Sequence, residues 1–388
     1  MSSYNDWIDP LYLNELLTDE EKSIKNTAKN FCNSELLPRV VKDNKTCFFD
    51  KKTYQKFGSL GFLGITIDGY GAAKASNVAY GLVAKEFESI DSSYRSAISV
   101  QSSLVIHPIY NFGSDEQKQT YLPELIKGNL VGCFGLTESE AGSDPTSMKT
   151  NFTEVSDGYI INGSKNWITN APIADVFIIW ALDKEKNIQG FIVDRQSQGL
   201  TTSIIEKGSL KISPTGQIIL NQVKVPKKNI LPNTQGWKSV YSCLNKARYG
   251  ISWGVMGAAE TSWLIPKEYT ENRIMFKKEL AANQLIQKKL ADMQTEISIS
   301  LSACLHAGQA MDNNKDLKIA ISMLKRNNCH KALKIVRNAR DMLGANGLLE
   351  EYHIIRHLIN LETVKTYEGT EDIHSLILGK FQTNISAF

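Results

Sequence analysis

The 388-residue sequence predicts an α+β fold in which a β segment lies between two helical segments. Apolar residues recur at three- and four-residue intervals in the first and last thirds, which is typical of amphipathic helices. In the middle third, short apolar runs alternate with Gly, Ser, Pro and Asp, which is typical of strands and turns. We therefore expect an N-terminal helical domain at 1–131, a middle antiparallel β domain at 132–236 and a C-terminal helical bundle at 237–388.

The N-terminal segment is predicted to contain several helices joined by short loops. Thr18 and Glu21 have the spacing of a capping box, so the first helix is expected to begin there. Another helix is expected around residues 83–90. Because Asp91 is a good N-cap residue and two serines follow it, a new helix can start at this point. The sequence leaves open whether Glu88 and Arg95 share one helical face.

The middle segment is predicted to contain strands joined by tight turns. Asp157-Gly158 between two apolar runs is a hairpin signal, and residues 183–187 form a plausible second turn. The apolar runs taken as strands are Tyr159–Ile161, Val176–Leu182, Gly190–Val193 and Gln217–Val225.

The last segment is predicted to contain two long amphipathic helices packed side by side. Residues 281–307 include neither Gly nor Pro, and apolar residues repeat there at helical spacing. The next helix shows the same period at Ala332, Val336, Ala339 and Leu343. The basic stretch from Lys325 to Arg340 is interpreted as a solvated helix face.

Composition excludes several classes of function. Lys and Arg total 44 against 41 for Asp and Glu, a net charge of +3, so we expect no nucleic-acid or membrane-surface partner. The polar, acidic N-terminus lacks the pattern of a targeting segment, and six scattered cysteines without a C-x-x-C pair suggest a reduced, cytoplasmic compartment. His353 and His357 have a spacing that can bind a metal, but the acidic residue of the usual motif is missing, and we expect no metal site.

Five strings then stand out by their order and spacing. They are FGLTESEAGSD at 134–144, KNWITN at 165–170, RIMF at 273–276, LGANG at 343–347 and YEGT at 367–370. Together they resemble the acyl-CoA dehydrogenase family. Longer strings at 93–117, 246–258 and 366–380 are similar to the glutaryl-CoA dehydrogenases within it. The resemblance implies a C-terminal four-helix bundle, a homotetramer, and FAD held between the β domain and the bundle with help from a neighbouring subunit.

The resemblance also implies the catalytic and substrate-binding residues. Glu368 matches the base that removes the α-proton of the acyl thioester. Arg95 matches the arginine that binds a second substrate carboxylate, and Ser99, four residues later, lies on the same helical face. Without the resemblance, an ordinary ion pair with Asp91 is the favoured explanation of Arg95. The further substrate contacts implied are Glu88, Ser96, Ser143, Asn245, Arg248, Tyr367 and Gly369.

The implied FAD contacts come from both later segments. Glycines and small hydroxyl residues let backbone N–H groups approach a cofactor closely. The contacts near the flavin are Phe134, Leu136, Thr137, Gly142, Ser143, Trp167, Ile168 and Thr169. Those for the pyrophosphate and adenosine of a neighbouring subunit's FAD are Arg273, Phe276 and Gln284, and the nucleotide site is completed by Asp341, Gly344, Thr370 and Asp372.

The implied reaction is the oxidative decarboxylation of glutaryl-CoA to crotonyl-CoA and CO2. Glu368 takes the α-proton while hydride passes from the β-carbon to flavin N5, and an electron-transferring flavoprotein reoxidises FAD. The alternatives are a dehydrogenase of glutaryl-CoA or another acyl thioester that does not decarboxylate, and a non-catalytic thioester-binding relative. Departures from the family pattern are expected to weaken FAD affinity and the tetramer, and they lie at Asn166, Met275, Lys277, Glu279, Ala345 and Glu371.

Overall fold

The computed structural model describes residues 7–387 and confirms the predicted order of helical, β and helical segments. The capping box at the first helix is present: the Thr18 hydroxyl accepts the Glu21 N–H at 3.2 Å, and the Glu21 carboxylate accepts the Thr18 N–H at 2.9 Å. The N-terminal helices are α1 (Asp19–Phe31), α2 (Val40–Thr46), α3 (Thr53–Ser59), α4 (Asn77–Ile90), α5 (Ser92–Ser99), α6 (His107–Phe112) and α7 (Asp115–Lys127).

The chain breaks between α4 and α5 at Asp91. This residue is extended, and its carboxylate accepts the Ser93 N–H at 2.8 Å, so it is the N-cap of α5. Glu88 and Arg95 therefore do not share the face of one continuous helix. After α5 the helix widens into a π-helical stretch, Val100–Ile106, before α6 begins.

The middle segment is one twisted sheet of mixed direction. The strands are β1 (Gly132–Gly135), β2 (Asn151–Val155), β3 (Gly158–Thr169), β4 (Val176–Leu182), β5 (Ile188–Asp194), β6 (Leu200–Ile204) and β7 (Thr215–Pro226), in the order β1-β4-β2-β3-β7-β6 with β5 also paired to β4. Most neighbours are antiparallel as predicted, but β1 runs parallel to β4 and β2 meets the end of β4 in parallel. Local sequence patterns cannot reveal such pairings, because they join strands far apart in the chain.

Both predicted turns of the sheet are present. Val155 pairs with Gly158, so the two-residue hairpin turn is Ser156-Asp157, one residue earlier than expected. Gly158 itself lies in the strand, where a Cβ would come within 2.1 Å of the Val225 carbonyl oxygen. The second turn connects β4 and β5, and its Asp183 carboxylate accepts the Asn187 N–H at 2.8 Å.

The last segment is helical and contains the predicted bundle. Its helices are α8 (Trp237–Asn272), α9 (Gln284–Asp312), α10 (Lys318–Met342), α11 (Ile354–Thr366) and α12 (Glu371–Thr383), with a short hairpin of β8 (Ile274–Met275) and β9 (Lys278–Glu279) after α8. The helices α8 to α11 pack around one apolar core, and α12 packs against α10. The same helix α8 also packs against α4, which joins the two helical segments.

Several sequence-based expectations can be compared with the side chains. Lys325 is 1% exposed, so the interpretation of the basic stretch as a solvated face is wrong at this residue, although Arg326, Arg337 and Arg340 reach the surface. All six cysteines are free thiols. Within residues 7–387, no helix is long and apolar enough to cross a membrane, and no group of three or more His, Cys, Asp or Glu side chains can hold a metal ion.

Candidate active site

The loop between α11 and α12 presents Glu368 in a strained conformation. Its φ is +54°, and that of Gly369 is +97°. The left-handed region costs a residue with a Cβ about 1–2 kcal/mol, so the surrounding structure must hold the loop in place. On the C-terminal side Thr370 begins α12, because its hydroxyl accepts the Ile373 N–H at 3.2 Å.

Two buried cations hold the carbonyl groups of this loop. The Lys325 ammonium, from α10, donates to the carbonyl oxygens of Lys365 at 3.1 Å, Tyr367 at 2.9 Å and Gly369 at 2.6 Å. The Arg248 guanidinium, from α8, donates through Nε to the Glu368 carbonyl oxygen at 2.7 Å. No sequence pattern indicated a role for Lys325.

The Glu368 carboxylate has the features of a general base. Its Oε2 atom is buried and accepts no hydrogen bond from any residue that the structure describes. Burial raises the pKa of Glu368, and the nearby Arg95, Arg248 and Lys325 oppose that rise. A carboxylate with a free, water-shielded oxygen and a raised pKa can accept a proton from a carbon acid at working pH.

Arg95 lies near Glu368 and forms a fully buried ion pair with Glu88. Its Nε donates to Glu88 Oε2 at 2.6 Å, and its Nη2 donates to the Tyr367 hydroxyl. The second oxygen of Glu88 accepts from the Ser92 hydroxyl at 2.8 Å. Neither contact of Arg95 uses Nη1, so this nitrogen remains to bind a further anion.

The alternative pairing of Arg95 with Asp91 is wrong. The Asp91 carboxylate accepts instead from Arg356 Nε and from Asn360, each at 2.9 Å, and so ties the start of α5 to α11. Gly254 of α8 makes room for the Arg95–Glu88 pair. A Cβ at this position would come within 2.2 Å of Glu88 Oε2 and 3.2 Å of the Arg95 side chain.

A cluster of hydroxyl groups lies near Arg95 and Glu368. Ser99 is buried, and its hydroxyl lies 3.5 Å from that of Tyr80, which also lies 2.9 Å from the Ser103 hydroxyl. Ser96 is buried as well. Ser99 and Ser103 are four residues apart and therefore face the same tyrosine. The helix between them enters the π-helical stretch at Val100, an irregularity that is frequent at functional sites.

The remaining predicted substrate residues are divided between two places. Asn245, on α8, accepts through Oδ1 from Arg248 Nη1 at 3.3 Å, and a Cβ at Gly369 would lie 3.2 Å from Arg248, so both residues lie beside the guanidinium that holds the Glu368 loop. Ser143 is exposed on the β segment. No sequence pattern indicated His374, a buried side chain whose Nε2 atom would lie 3.0 Å from that Cβ position; burial and the nearby Arg248 and Lys325 charges together lower its pKa to about 3.

The two strings of the β segment that are predicted to contact a flavin lie next to each other. The Asn166 N–H donates to the Thr137 carbonyl oxygen at 2.8 Å, which joins the two strings. Trp167 has a φ of +61° and is 57% exposed, so a flat aromatic face is presented to the surface. Gly142 is exposed with no atom within 4 Å of its Cβ position, and Phe134, Leu136 and Ile168 are buried behind while Thr169 is half-buried.

A second buried ion pair supports these strings and was also missed. Lys165 Nζ donates to Glu138 Oε1 at 2.9 Å and to the Leu136 carbonyl oxygen at 3.0 Å. Glu138 in turn accepts the N–H groups of Lys149 and Thr150 at 2.7 and 2.9 Å. Burial lowers the pKa of Lys165 to about 8, and Glu138 opposes that effect.

The predicted nucleotide contacts are divided: Thr370 and Asp372 follow Glu368 closely in the chain, whereas Arg273 and the residues after it lie far from the Glu368 loop. Arg273 follows α8 directly, and twenty-five residues of helix at about 1.5 Å each separate it from Arg248 by roughly 37 Å. Phe276, 94% exposed, and Lys277 form the hairpin turn between β8 and β9 with φ values of +52° and +67°. Gln284, Asp341, Gly344 and Asp372 are exposed on the bundle, Gly344 with a φ of +58° after α10.

Comparison with known proteins identifies the class that this fold and site define. Residues 18–129, 133–223 and 234–382 match the N-terminal, middle and C-terminal domains of acyl-CoA dehydrogenases. The chain belongs to the acyl-CoA dehydrogenase family.

Individual relatives agree over nearly full length. An acyl-CoA dehydrogenase of Bacillus subtilis is 32% identical, with 94% of this chain and 98% of the relative covered. A short-chain specific acyl-CoA dehydrogenase of Megasphaera elsdenii is 31% identical over 94% and 98%. The crystal structure of a glutaryl-CoA dehydrogenase from Mycobacterium smegmatis in complex with FADH2 is 39% identical, with a TM-score of 0.97 and 98% and 99% of the chains covered.

Proposed function

We propose that this protein is an FAD-dependent dehydrogenase of glutaryl-CoA that also removes CO2 to give crotonyl-CoA. One observation carries the substrate assignment: Arg95 is buried beside the catalytic Glu368, and it keeps Nη1 apart from its contacts with Glu88 and Tyr367. A buried guanidinium of this kind suits an acyl chain that ends in a carboxylate. A purely aliphatic acyl chain would gain nothing from it.

The residues on the β segment fit FAD. The exposed face of Trp167, the joined backbone of Thr137 and Asn166, and the open space at Gly142 offer a flat wall and a surface without side-chain obstruction. When bound, FAD supplies the acceptor for the hydride that leaves the β-carbon of the acyl chain. The full set of cofactor contacts named from the sequence is proposed for this role, with Arg273, Phe276 and Gln284 serving a neighbouring subunit.

The chain's own residues then account for proton movement and orientation. Arg95 holds the distal carboxylate, and Arg248 and Lys325 fix the loop so that Glu368 takes the α-proton. The Glu368 backbone N–H stabilises the developing charge on the thioester oxygen. After CO2 leaves the γ-carbon, the protonated Glu368 returns its proton to the resulting dienolate, so one residue acts first as base and then as acid.

A second candidate is a dehydrogenase that does not decarboxylate, acting on glutaryl-CoA or a short acyl thioester. The 31% identity to a short-chain specific relative favours it, because that value is close to the identities with the other relatives. A non-catalytic thioester-binding protein is a weaker alternative, since the free Glu368 Oε2 in a strained, doubly held loop is the arrangement of a working base.

Anaerobic titration with glutaryl-CoA tests the proposal directly. We expect the absorbance of the oxidised flavin to bleach with about one equivalent of glutaryl-CoA, and crotonyl-CoA and CO2 to appear in equal amounts. Glutaconyl-CoA without CO2 would establish the second candidate. Bleaching by butyryl-CoA but not by glutaryl-CoA would reject the dicarboxylic substrate, and absence of any FAD after reconstitution would support the non-catalytic alternative.

We also propose a homotetramer, an electron-transferring flavoprotein as the acceptor, and domain boundaries after residues 131 and 236. The tetramer is supported by the roughly 37 Å of helix between Arg248 and Arg273, because one subunit then contributes these two cations to different sites. An exposed phenylalanine at a hairpin tip, Phe276, also suits a contact with another subunit.

Phe276→Ser is expected to weaken FAD binding by up to about tenfold, because an aromatic contact contributes about 0.5–1.5 kcal/mol. The variant tetramer should be weaker, so on dilution it should dissociate at a protein concentration at which the wild-type tetramer is still intact. Turnover at saturating FAD should be retained. FAD titration and light scattering measure both effects. Phe48→Ser, at another exposed phenylalanine in the N-terminal segment, is the control and should change neither. Unchanged FAD affinity and assembly in Phe276→Ser would remove this residue from the shared site.

A further inference from the structure

Lys325 is a buried lysine whose three donors are all used by the last turn of α11 and the loop that follows it. An ammonium group has three N–H donors, and Lys325 directs them to three carbonyl oxygens, those of Lys365, Tyr367 and Gly369. A neutral amine has only two N–H groups and would leave one carbonyl without its donor. No carboxylate lies within ion-pair distance of this ammonium among residues 7–387.

The three acceptors lie on both sides of Glu368 in the chain. Lys365 and Tyr367 precede it, and Gly369 follows it, so Lys325 spans the left-handed turn that places the carboxylate. Arg248 holds the one carbonyl that Lys325 does not reach at the centre of this turn, that of Glu368 itself. A turn with two consecutive positive φ values relaxes unless its backbone is held at several points.

We propose that Lys325 is a positioning residue for the reaction, whose ammonium fixes the turn from which Glu368 reaches the α-carbon of the thioester. This role rests on the proposed function of Glu368 as the base. It differs from a role in folding alone, because Lys325 then affects the chemistry of the folded, FAD-loaded enzyme. Because the donor must be charged, Lys325 also lowers the pKa of Glu368 through its positive charge.

The charged and titratable groups around Glu368 come from every element packed against it. They are Tyr80 of α4, Arg95 of α5, Arg248 of α8, Lys325 of α10, the adjacent Tyr367 and His374 of α12. Burial raises the pKa of Glu368, and the three cations oppose it. Burial keeps the Tyr80 and Tyr367 hydroxyls protonated by raising their pKa values, and it keeps His374 neutral by lowering its pKa to about 3. Removing the Lys325 charge therefore raises the pKa of Glu368 further.

Lys325→Met tests the proposal, because methionine has a similar length but no donor. We expect normal FAD content and a kcat about a hundredfold lower per bound flavin, since small misplacements of a reacting group have effects of this size. KM for the acyl thioester should change little. The acidic limb of the pH profile of kcat/KM should move to higher pH, because the ionised base is now less favoured.

Two further variants serve as controls, Lys325→Arg for the charge and Lys331→Met for the loss of a lysine elsewhere on the helix. Lys325→Arg keeps a cation but not the three-carbonyl geometry, so kcat should fall while the acidic limb stays near its wild-type position. Lys331 lies on the same helix, and its ammonium is 2.6 Å from the Glu296 carboxylate of α9 and makes no bond to the Glu368 loop. Lys331→Met should therefore behave as wild type. A wild-type kcat and pH profile in folded, FAD-loaded Lys325→Met would overturn the proposal. Failure of both Lys325 variants to fold would also overturn it, since the residue would then serve the fold alone.

Each variant is assayed with glutaryl-CoA and with butyryl-CoA. If wild-type enzyme reduces its flavin only with butyryl-CoA, the substrate assignment fails and the Lys325 comparison proceeds with that thioester. If Glu368→Gln is as active as wild type, the assignment of the base fails, and the positioning role with it.

Discussion

Replacing Glu368 with Gln is expected to lower kcat by about a thousandfold or more while FAD and acyl-CoA still bind. General bases contribute roughly 10²–10⁴-fold to proton transfer, and glutamine keeps the size of the side chain without its basicity. Stopped-flow reduction of the flavin by glutaryl-CoA measures the loss. Glu362→Gln changes an exposed carboxylate on α11 that pairs with Arg337, so it should leave the rate unchanged. Near-normal reduction in Glu368→Gln would mean that another group removes the proton.

The same substitution should raise thermal stability at neutral pH. Burial raises the pKa of Glu368 above its ordinary value of 4.5, so the folded protein holds this proton more tightly than the unfolded chain does. Stability is therefore lost as the pH rises from about 4.5 through the folded-state pKa, and glutamine avoids that loss. The Tm difference between variant and wild type should shrink as the pH falls toward 4.5. A variant less stable than wild type at neutral pH would contradict this account.

Arg95→Met is expected to have the second-largest effect, on both specificity and stability. Loss of a buried charged contact lowers kcat/KM for glutaryl-CoA by between about 30-fold and several thousand-fold. Butyryl-CoA lacks the distal carboxylate, so its kcat/KM should change far less. Parallel steady-state measurements with the two thioesters give the ratio that tests the assignment. An equal loss with both substrates would mean that Arg95 supports the pocket without binding the carboxylate.

The stability effect of Arg95→Met follows from the partner that remains. Glu88 would be left as a buried carboxylate without its cation, which destabilises a protein by about 3–5 kcal/mol. The double variant Glu88→Gln/Arg95→Met removes the stranded charge and should recover most of that free energy of unfolding, without recovering activity on glutaryl-CoA. Urea unfolding of the single and double variants measures the difference. If the double variant is no more stable than Arg95→Met, the two residues are not coupled as the 2.6 Å contact indicates.

Much of the fold follows from local patterns in the sequence. The capping box at Thr18, the turn at residues 183–187 and the period of the long bundle helices depend on neighbours within a few residues, so the sequence shows them directly. The parallel pairing of β1 with β4 was missed because it joins residues more than forty positions apart. Local periodicity contains no information about such partners.

Only part of the candidate site was predicted, because several of its contacts also join residues far apart in the chain. The residues of the YEGT string were found through resemblance, but the three carbonyls that accept from Lys325 belong to a loop about forty residues away. Helical periodicity placed Lys325 in a basic stretch, which was interpreted as a solvated helix face. Periodicity cannot show which other elements pack against each face of a helix, so the burial of Lys325 was not predicted. Glu88 and Arg95 meet across a helix break, where a face argument based on continuous helical spacing fails.

The lack of a side chain at Gly254 has a consequence for missense variants of the gene. The residue takes no part in chemistry, yet a Cβ at its position would lie 2.2 Å from Glu88 Oε2, and moving that oxygen breaks its bond to Arg95. Every missense change reachable from a glycine codon by one nucleotide adds a Cβ. We therefore expect any such allele to impair the proposed binding of the substrate carboxylate, although the position carries no functional group. A survey of harmful variants confined to reactive residues would overlook it.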